Sequence, residues 1–199
     1  MKTILILCTA FLFTACACTK NSKPILNEPL PPATQTGANT FGCTLNGQVF
    51  VPNLCYCSVM PEFAMAVYGY YRNTENSSVR IFANRGSNIK NMLFISLYLY
   101  KVYEKKGGNY ILGKAIDNVN TGNQPFNNYI HCMAVSPTSG KRRLYGSYEN
   151  SGEIILTQWD EDNKILSGTF SGKLKELEGE EIIEIKDGRF DINLKTLQP

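Results

Sequence analysis

From Phe41 to the C-terminus the chain is cut into short runs rich in Val, Ile, Leu, Tyr and Phe, and almost every run ends in a turn-forming cluster. The runs are 63–71, 79–83, 92–103, 110–112, 129–134, 143–148, 153–159, 164–174 and 181–194. Between them lie clusters rich in Gly, Pro, Asn and Ser at 72–77, 105–108, 118–125, 136–140 and 149–152. Gly supplies positive φ, and Asn and Ser bond their own backbone, so such clusters reverse or kink a strand. Ahead of them Asn46-Gly47 separates 41–45 from 48–51 with the chemistry of a type I′ hairpin turn. Nothing after residue 40 shows a long, capped apolar period of 3.6 residues, which excludes a helical fold. The expectation is all-β: an antiparallel β-sandwich or a partly open barrel, with at most one short helix, placed between Ile111 and Pro125.

Period-2 alternation assigns the faces. Leu93, Ile95, Leu97 and Leu99 share one side of the longest run and are expected in the core. The other side carries Phe94, Ser96, Tyr98 and Tyr100, and Tyr68 and Tyr70 alternate in the same way in the run before it. Such a Tyr-rich face either covers a second core with its rings, the hydroxyls staying wet, or forms a platform for stacking on a sugar ring. Near the C-terminus Leu166, Gly168, Phe170, Gly172 and Leu174 share a face, and Ile183, Ile185, Phe190 and Ile192 supply apolar contacts around Asp187-Gly188-Arg189, which reads as a bulge or bend. Asp187 and Asp191 are expected to be solvated turn or edge charges and not a catalytic pair.

The beginning of the chain sets an address. Lys2, the apolar run from Ile4 to Phe13 and Thr14-Ala15-Cys16 have the three-part form of an export signal. That run is too short to cross a hydrocarbon core of about 30 Å. Phe13-Thr14-Ala15-Cys16 resembles the motif at which bacterial lipoproteins are acylated, with Phe in place of the usual Leu. The expected organisation is a signal peptide over 1–15, an acylated Cys16 followed by a flexible Pro- and Thr-rich tether to residue 40, and one domain over 41–199. Two or more acyl chains hold such a protein stably to a bilayer without spanning it. The tether lacks the aromatic and aliphatic residues needed to offset its ordering entropy.

Charge and cysteine usage narrow the chemistry. Residues 41–158 carry eleven Lys and Arg against six Asp and Glu, while 159–199 carry six against ten. Outside Lys141-Arg142-Arg143 the basic residues are scattered, so the clustered basic face of a nucleic-acid-binding protein is missing. Four cysteines fall in the domain, Cys43, Cys55, Cys57 and Cys132. In an exported protein they suggest up to two disulfides, Cys43–Cys55 with Cys57–Cys132 or Cys43–Cys57 with Cys55–Cys132, against free buried thiols. A zinc site is disfavoured, because one residue separates Cys55 from Cys57 where paired ligands usually have two to four between them. The single histidine, His131, adjoins Cys132, and strand alternation sends the two to opposite faces. Phosphate loops, nucleophile elbows and zinc-protease motifs are absent from the sequence, and no cofactor is implied.

Three C-terminal stretches, 152–157, 165–172 and 185–191, resemble the ending of a family of uncharacterised Bacteroidetes lipoproteins, in which Ile-Ser-Gly-Thr-Phe precedes a last strand with Asp-Gly-Arg-Phe-Asp. The stretch from Leu30 through Asn46-Gly47 is similar to the start of that family's domain. Residues 55–145 show no such likeness, and Lys186 stands where the family has Thr. The resemblance implies lipid anchoring and an all-β domain, and no activity. By analogy with bacterial lipoproteins, Ala17 after the acylated cysteine implies the outer membrane, and Lys20 and Lys23 its periplasmic leaflet, with the cell surface as the alternative. The expected role is non-enzymatic binding or structure. The expected partners are the bilayer through Cys16 and either a glycan, through Tyr68, Tyr70, Phe94, Tyr98 and Tyr100, or another envelope protein.

Overall fold

A computed structural model describes residues 29–54, 67–72, 78–86, 92–115 and 126–197; the side chains of 54 and 68–72 are not described. The signal, Cys16, Cys55, Cys57 and the helix expected between Ile111 and Pro125 therefore lie wholly or largely outside the described residues. Within them the chain forms β1 (Thr40–Leu45), β2 (Gln48–Phe50), β3 (Asn53–Leu54), β4 (Val67–Arg72), β5 (Ser78–Gly86), β6 (Leu93–Leu99), one helical turn α1 (Val102–Lys105), β7 (Gly108–Ile111), β8 (Tyr129–Val135), β9 (Arg142–Asp160), β10 (Ile165–Glu176) and β11 (Ile182–Asn193). The all-β expectation holds. The strands make one curled, half-barrel sheet in the order β2-β1-β11-β10-β9-β8-β6-β5-β3, with β4 added to β5 and β7 to β9. All pairings are antiparallel except β3 with β5.

Local chemistry sets the turns. Asn46 and Gly47 both have positive φ, 47° and 78°, and close the β1–β2 hairpin as their dipeptide predicts. The run 92–103 is shorter than alternation suggests, because Lys101 takes a left-handed φ of 58°, stops the strand and opens α1. A larger difference concerns 149–152, expected as a turn between two strands. The strand runs through it. β9 is 19 residues long, and its partner β10 passes from Gly152 at Gly172 to Ser147 at Leu174. The turn chemistry instead builds a bulge. Asn150 has a φ of 56°, the Tyr148 amide donates to Ser151 Oγ, and Leu112 accepts from Asn150 N and donates to Gly152 O.

The concave side of the curl holds one core. Ile95, Leu97 and Leu99 meet Val79, Ile81, Ile130, Leu166, Phe170, Leu174, Ile183, Ile185, Phe190 and Ile192, all buried. The face assignments for 93–99 and for the two C-terminal strands are as alternation gives them, and the bend at Asp187-Gly188 is present as a register shift against Phe170 and Gly172. Phe170 lies between Phe41 and Phe190, with ring centroids 5.1 and 6.4 Å away. A smaller cluster of Tyr98, Ala115 and Tyr129, with Tyr100 against it, covers the outer side of β6 and β8.

Candidate functional site

The Tyr row of β6 is not an open platform. Tyr98 is 5% exposed, and its ring stacks on Tyr129 of β8 at 4.7 Å between centroids. Cross-strand register puts Arg80, Tyr98 and Tyr129 side by side on β5, β6 and β8. Arg80, itself buried, donates from Nη2 to the Tyr129 hydroxyl at 2.8 Å, and its guanidinium carbon lies 5.1, 5.6 and 6.0 Å from the ring centres of Phe82, Tyr129 and Tyr98. Rings around a desolvated guanidinium attract it through their quadrupoles. The alternation in β6 was legible, whereas the Tyr129 ring and the Arg80 cation that close over Tyr98 come from strands 31 and 18 residues away. Phe94 and Tyr100 are half-buried, and Tyr100 meets Phe126 edge-on at 5.8 Å. Register sets Tyr68 opposite Phe82 and Tyr70 opposite Arg80, but their side chains lie outside the description. Tyr98→Ala is therefore expected to lower stability by about 3 kcal/mol, as for other large-to-small changes of buried aromatic residues. Urea unfolding checks this; a loss below about 1 kcal/mol would contradict the packing role.

Asp191 differs most from expectation. It is 1% exposed, not a solvated edge charge. Its carboxylate accepts from Thr34 Oγ1 at 2.6 Å, Ser167 Oγ at 2.7 Å, Gly37 N at 2.8 Å, Thr36 N at 3.0 Å, Ala38 N at 3.2 Å and Thr36 Oγ1 at 3.3 Å. Burial alone would raise this carboxyl; the hydrogen bonds from Thr34, Ser167, Thr36 and Ala38 outweigh it and hold the group far below the usual carboxylate range. The donors come from the segment expected as the end of the tether. That segment is a strap on the sheet: Asn39 exchanges bonds with Asn193 N and Thr196, and Pro31 sits where a Cβ on Gly42 would meet it at 2.6 Å. Asp187 stays exposed as expected.

A cleft of about 810 Å³ opens among the described residues where the β9 bulge faces the β10–β11 connection. Its floor is Gly146, where a Cβ would come within 2.9 Å of both Ala115 and Leu177. Around it stand Tyr148, Lys114, Glu149 and Glu178, all exposed. Two ion pairs involve its lining residues, Arg143–Glu176 at 3.0 Å and Lys175–Glu180 at 2.6 Å. Behind it the Tyr145 hydroxyl and Thr138 N, the latter at 3.1 Å, bind Glu181; hydrogen bonds from Thr138 and Tyr145 pull its carboxyl down to about 2. Sequence reasoning passed over this cleft, because it joins the turn-like stretch 148–151 to an acidic connection that look unrelated along the chain. Among the described residues no group of three or more His, Cys, Asp or Glu is placed to hold a metal ion. His131 is buried on the outer face, edge-on to Tyr129 at 5.1 Å, and Cys132 points into the core, as alternation requires. Cys43 and Cys132 are both free and buried. Compared with protein-family models, curated proteins and solved structures, the chain gives no match.

Proposed function

We propose that this chain is an exported lipoprotein, acylated at Cys16 and held to the outer membrane, that acts by binding and not by catalysis. The lipoprotein-like cysteine motif and the resemblance of both chain ends to Bacteroidetes lipoproteins support the anchoring. The observation that carries the binding role is the cleft beside the β9 bulge, whose volume of about 810 Å³ is in the range of small-molecule sites. Its exposed groups offer both donors and acceptors. Labelling with an alkyne analogue of palmitate should mark the full chain and leave Cys16→Ala unmarked; equal labelling of both would overturn Cys16 as the site, and no labelling of the full chain would remove the anchor.

A second reading, that the ligand is a glycan, is favoured by Tyr148 standing at the rim beside Glu149 and Lys114, since an aromatic face with flanking hydrogen-bonding groups suits a sugar ring. Thermal unfolding of the full chain against a panel of oligosaccharides tests it. A ligand at 100 times its Kd adds about 2.7 kcal/mol, and each kcal/mol moves the midpoint of a domain this size by roughly 2–4 °C. The shift is expected to vanish in Tyr148→Ala. No shift across the panel would leave an envelope protein as the partner.

A further inference from the structure

The cleft beside the β9 bulge differs in charge from the chain around it. Two lysines, Lys114 and Lys175, and four glutamates, Glu149, Glu176, Glu178 and Glu180, line it, an excess of two negative charges on a chain whose net charge is +3. Ion pairing takes Lys175 to Glu180 and Arg143 to Glu176. Glu149 on β9 and Glu178 on the β10–β11 connection are both exposed in the lining, and among the described residues neither they nor Lys114 are in an ion pair. Glu181 behind the cleft adds a further negative charge, because its hydrogen bonds from Thr138 and Tyr145 keep it ionised. A cleft with an excess of one sign focuses its field and concentrates ligands of the other. The rest of the lining is suited to a ring. Gly146, Ala115 and Leu177 give an apolar floor, and Tyr148 offers an exposed aromatic side chain.

We propose that this cleft takes a cationic sugar, an oligosaccharide of unacetylated amino sugars whose ammonium groups are met by Glu149 and Glu178 and whose ring lies against Tyr148. The inference rests on the reading of the cleft as a binding site and narrows the class of its ligand. Ammonium-to-carboxylate hydrogen bonds are roughly twice as strong as neutral ones, and the face of a tyrosine attracts a cation as well as a sugar ring. A neutral glycan would leave both carboxylates with hydroxyl donors alone, and an anionic one would be repelled. A lysine side chain of a partner protein carries the same ammonium, but it is thin and loses its rotamer freedom on entry. Rigid rings fill a cleft of about 810 Å³ better and lose less freedom in doing so.

The test is calorimetric titration of the full chain at about pH 6, where amines are protonated and carboxylates are not. Three probes are compared: a glucosamine trisaccharide, its fully N-acetylated counterpart, which has the same rings without the charge, and trilysine. The glucosamine trisaccharide is expected to bind at least about tenfold more tightly than either of the others. Glu149→Gln and Glu178→Gln should each weaken it by about tenfold and leave any binding of the acetylated form unchanged. Both residues are exposed, so neither substitution threatens the fold. Lys114→Gln removes a like charge and should tighten the amino sugar by about threefold. Equal binding of the two trisaccharides, lost in Tyr148→Ala, overturns the selection for charge and keeps the cleft as a glycan site. Tighter binding of trilysine overturns the sugar in favour of a basic peptide. No binding of any probe overturns the proposal, and the wider oligosaccharide panel then decides separately whether the cleft binds a glycan at all.

Discussion

Asp191→Ala is expected to destabilise the protein by about 3–5 kcal/mol, the range for removing one side of a buried charged network. The size follows from what is left behind. Thr36, Gly37 and Ala38 amides and the Thr34 and Ser167 hydroxyls all lose their acceptor at once, and a buried donor left unpaired costs about 1–3 kcal/mol. The sum is capped because the strap can lift off the sheet and return its amides to water. Asp191→Asn keeps the volume and still fails, since its NH2 would face donors. Removing residues up to 40 makes the complementary lesion, taking the Thr34, Thr36, Gly37 and Ala38 donors from the carboxylate and leaving it Ser167, and should also destabilise. Asp191 also sets an acid limit. Its folded-state carboxyl lies below its unfolded value, so its contribution is complete above about pH 4 and is lost as the pH falls further towards the folded value. Glu181 is depressed too and adds loss in the same direction, so the Asp191 share is the difference between wild type and Asp191→Asn across pH 2–7. Unfolding in urea measures it. Two curves that stay parallel through the acid range would show that Asp191 holds no such charge.

The comparison of sequence with structure divides along the range of the interactions. Strand positions, the Asn46-Gly47 turn and the core faces of β6, β10 and β11 are fixed by residues close in sequence, and period-2 reasoning finds them. The features it missed depend on partners far along the chain. Asp191 reads as an ordinary edge charge because its donors lie 153–157 residues earlier, apart from Ser167. Tyr98 reads equally as cover for a second core or as part of an open platform, because nothing near it in sequence predicts that Tyr129 will stack on it. The cleft has no local signature for a different reason: Glu149-Asn150-Ser151-Gly152 has every mark of a hairpin turn, and only the supply of hydrogen bonds from Leu112 lets the strand continue through it. A polar tether also reads the same whether or not a buried carboxylate waits for it.

Gly152→Ala tests the curl itself. Gly152 lies directly opposite Gly172 in the β9–β10 ladder, at the edge of the bulge. A Cβ there would stand 2.2 Å from the Ser171 carbonyl oxygen and 2.4 Å from the Gly172 Cα. Both are backbone atoms, so no side chain can turn aside, and the two strands must part at the bulge. Overpacking at a rigid site costs about 1–3 kcal/mol, and the broken ladder bonds on either side add to that, so a loss of at least about 3 kcal/mol is expected. Gly47→Ala is the control, because Gly47 has a φ of 78° and nothing within 4 Å of the added Cβ. It should lose only the strain of a left-handed alanine, about 1–2 kcal/mol. Amide hydrogen exchange gives the second readout: in Gly152→Ala the amides of 165–176 should lose protection, and in Gly47→Ala the loss should stay in the β1–β2 hairpin. If both substitutions cost the same and 165–176 stays protected, the glycine pair is not what lets the sheet curl, and the bend must be held by the register shifts at Gly168 and Gly188 alone.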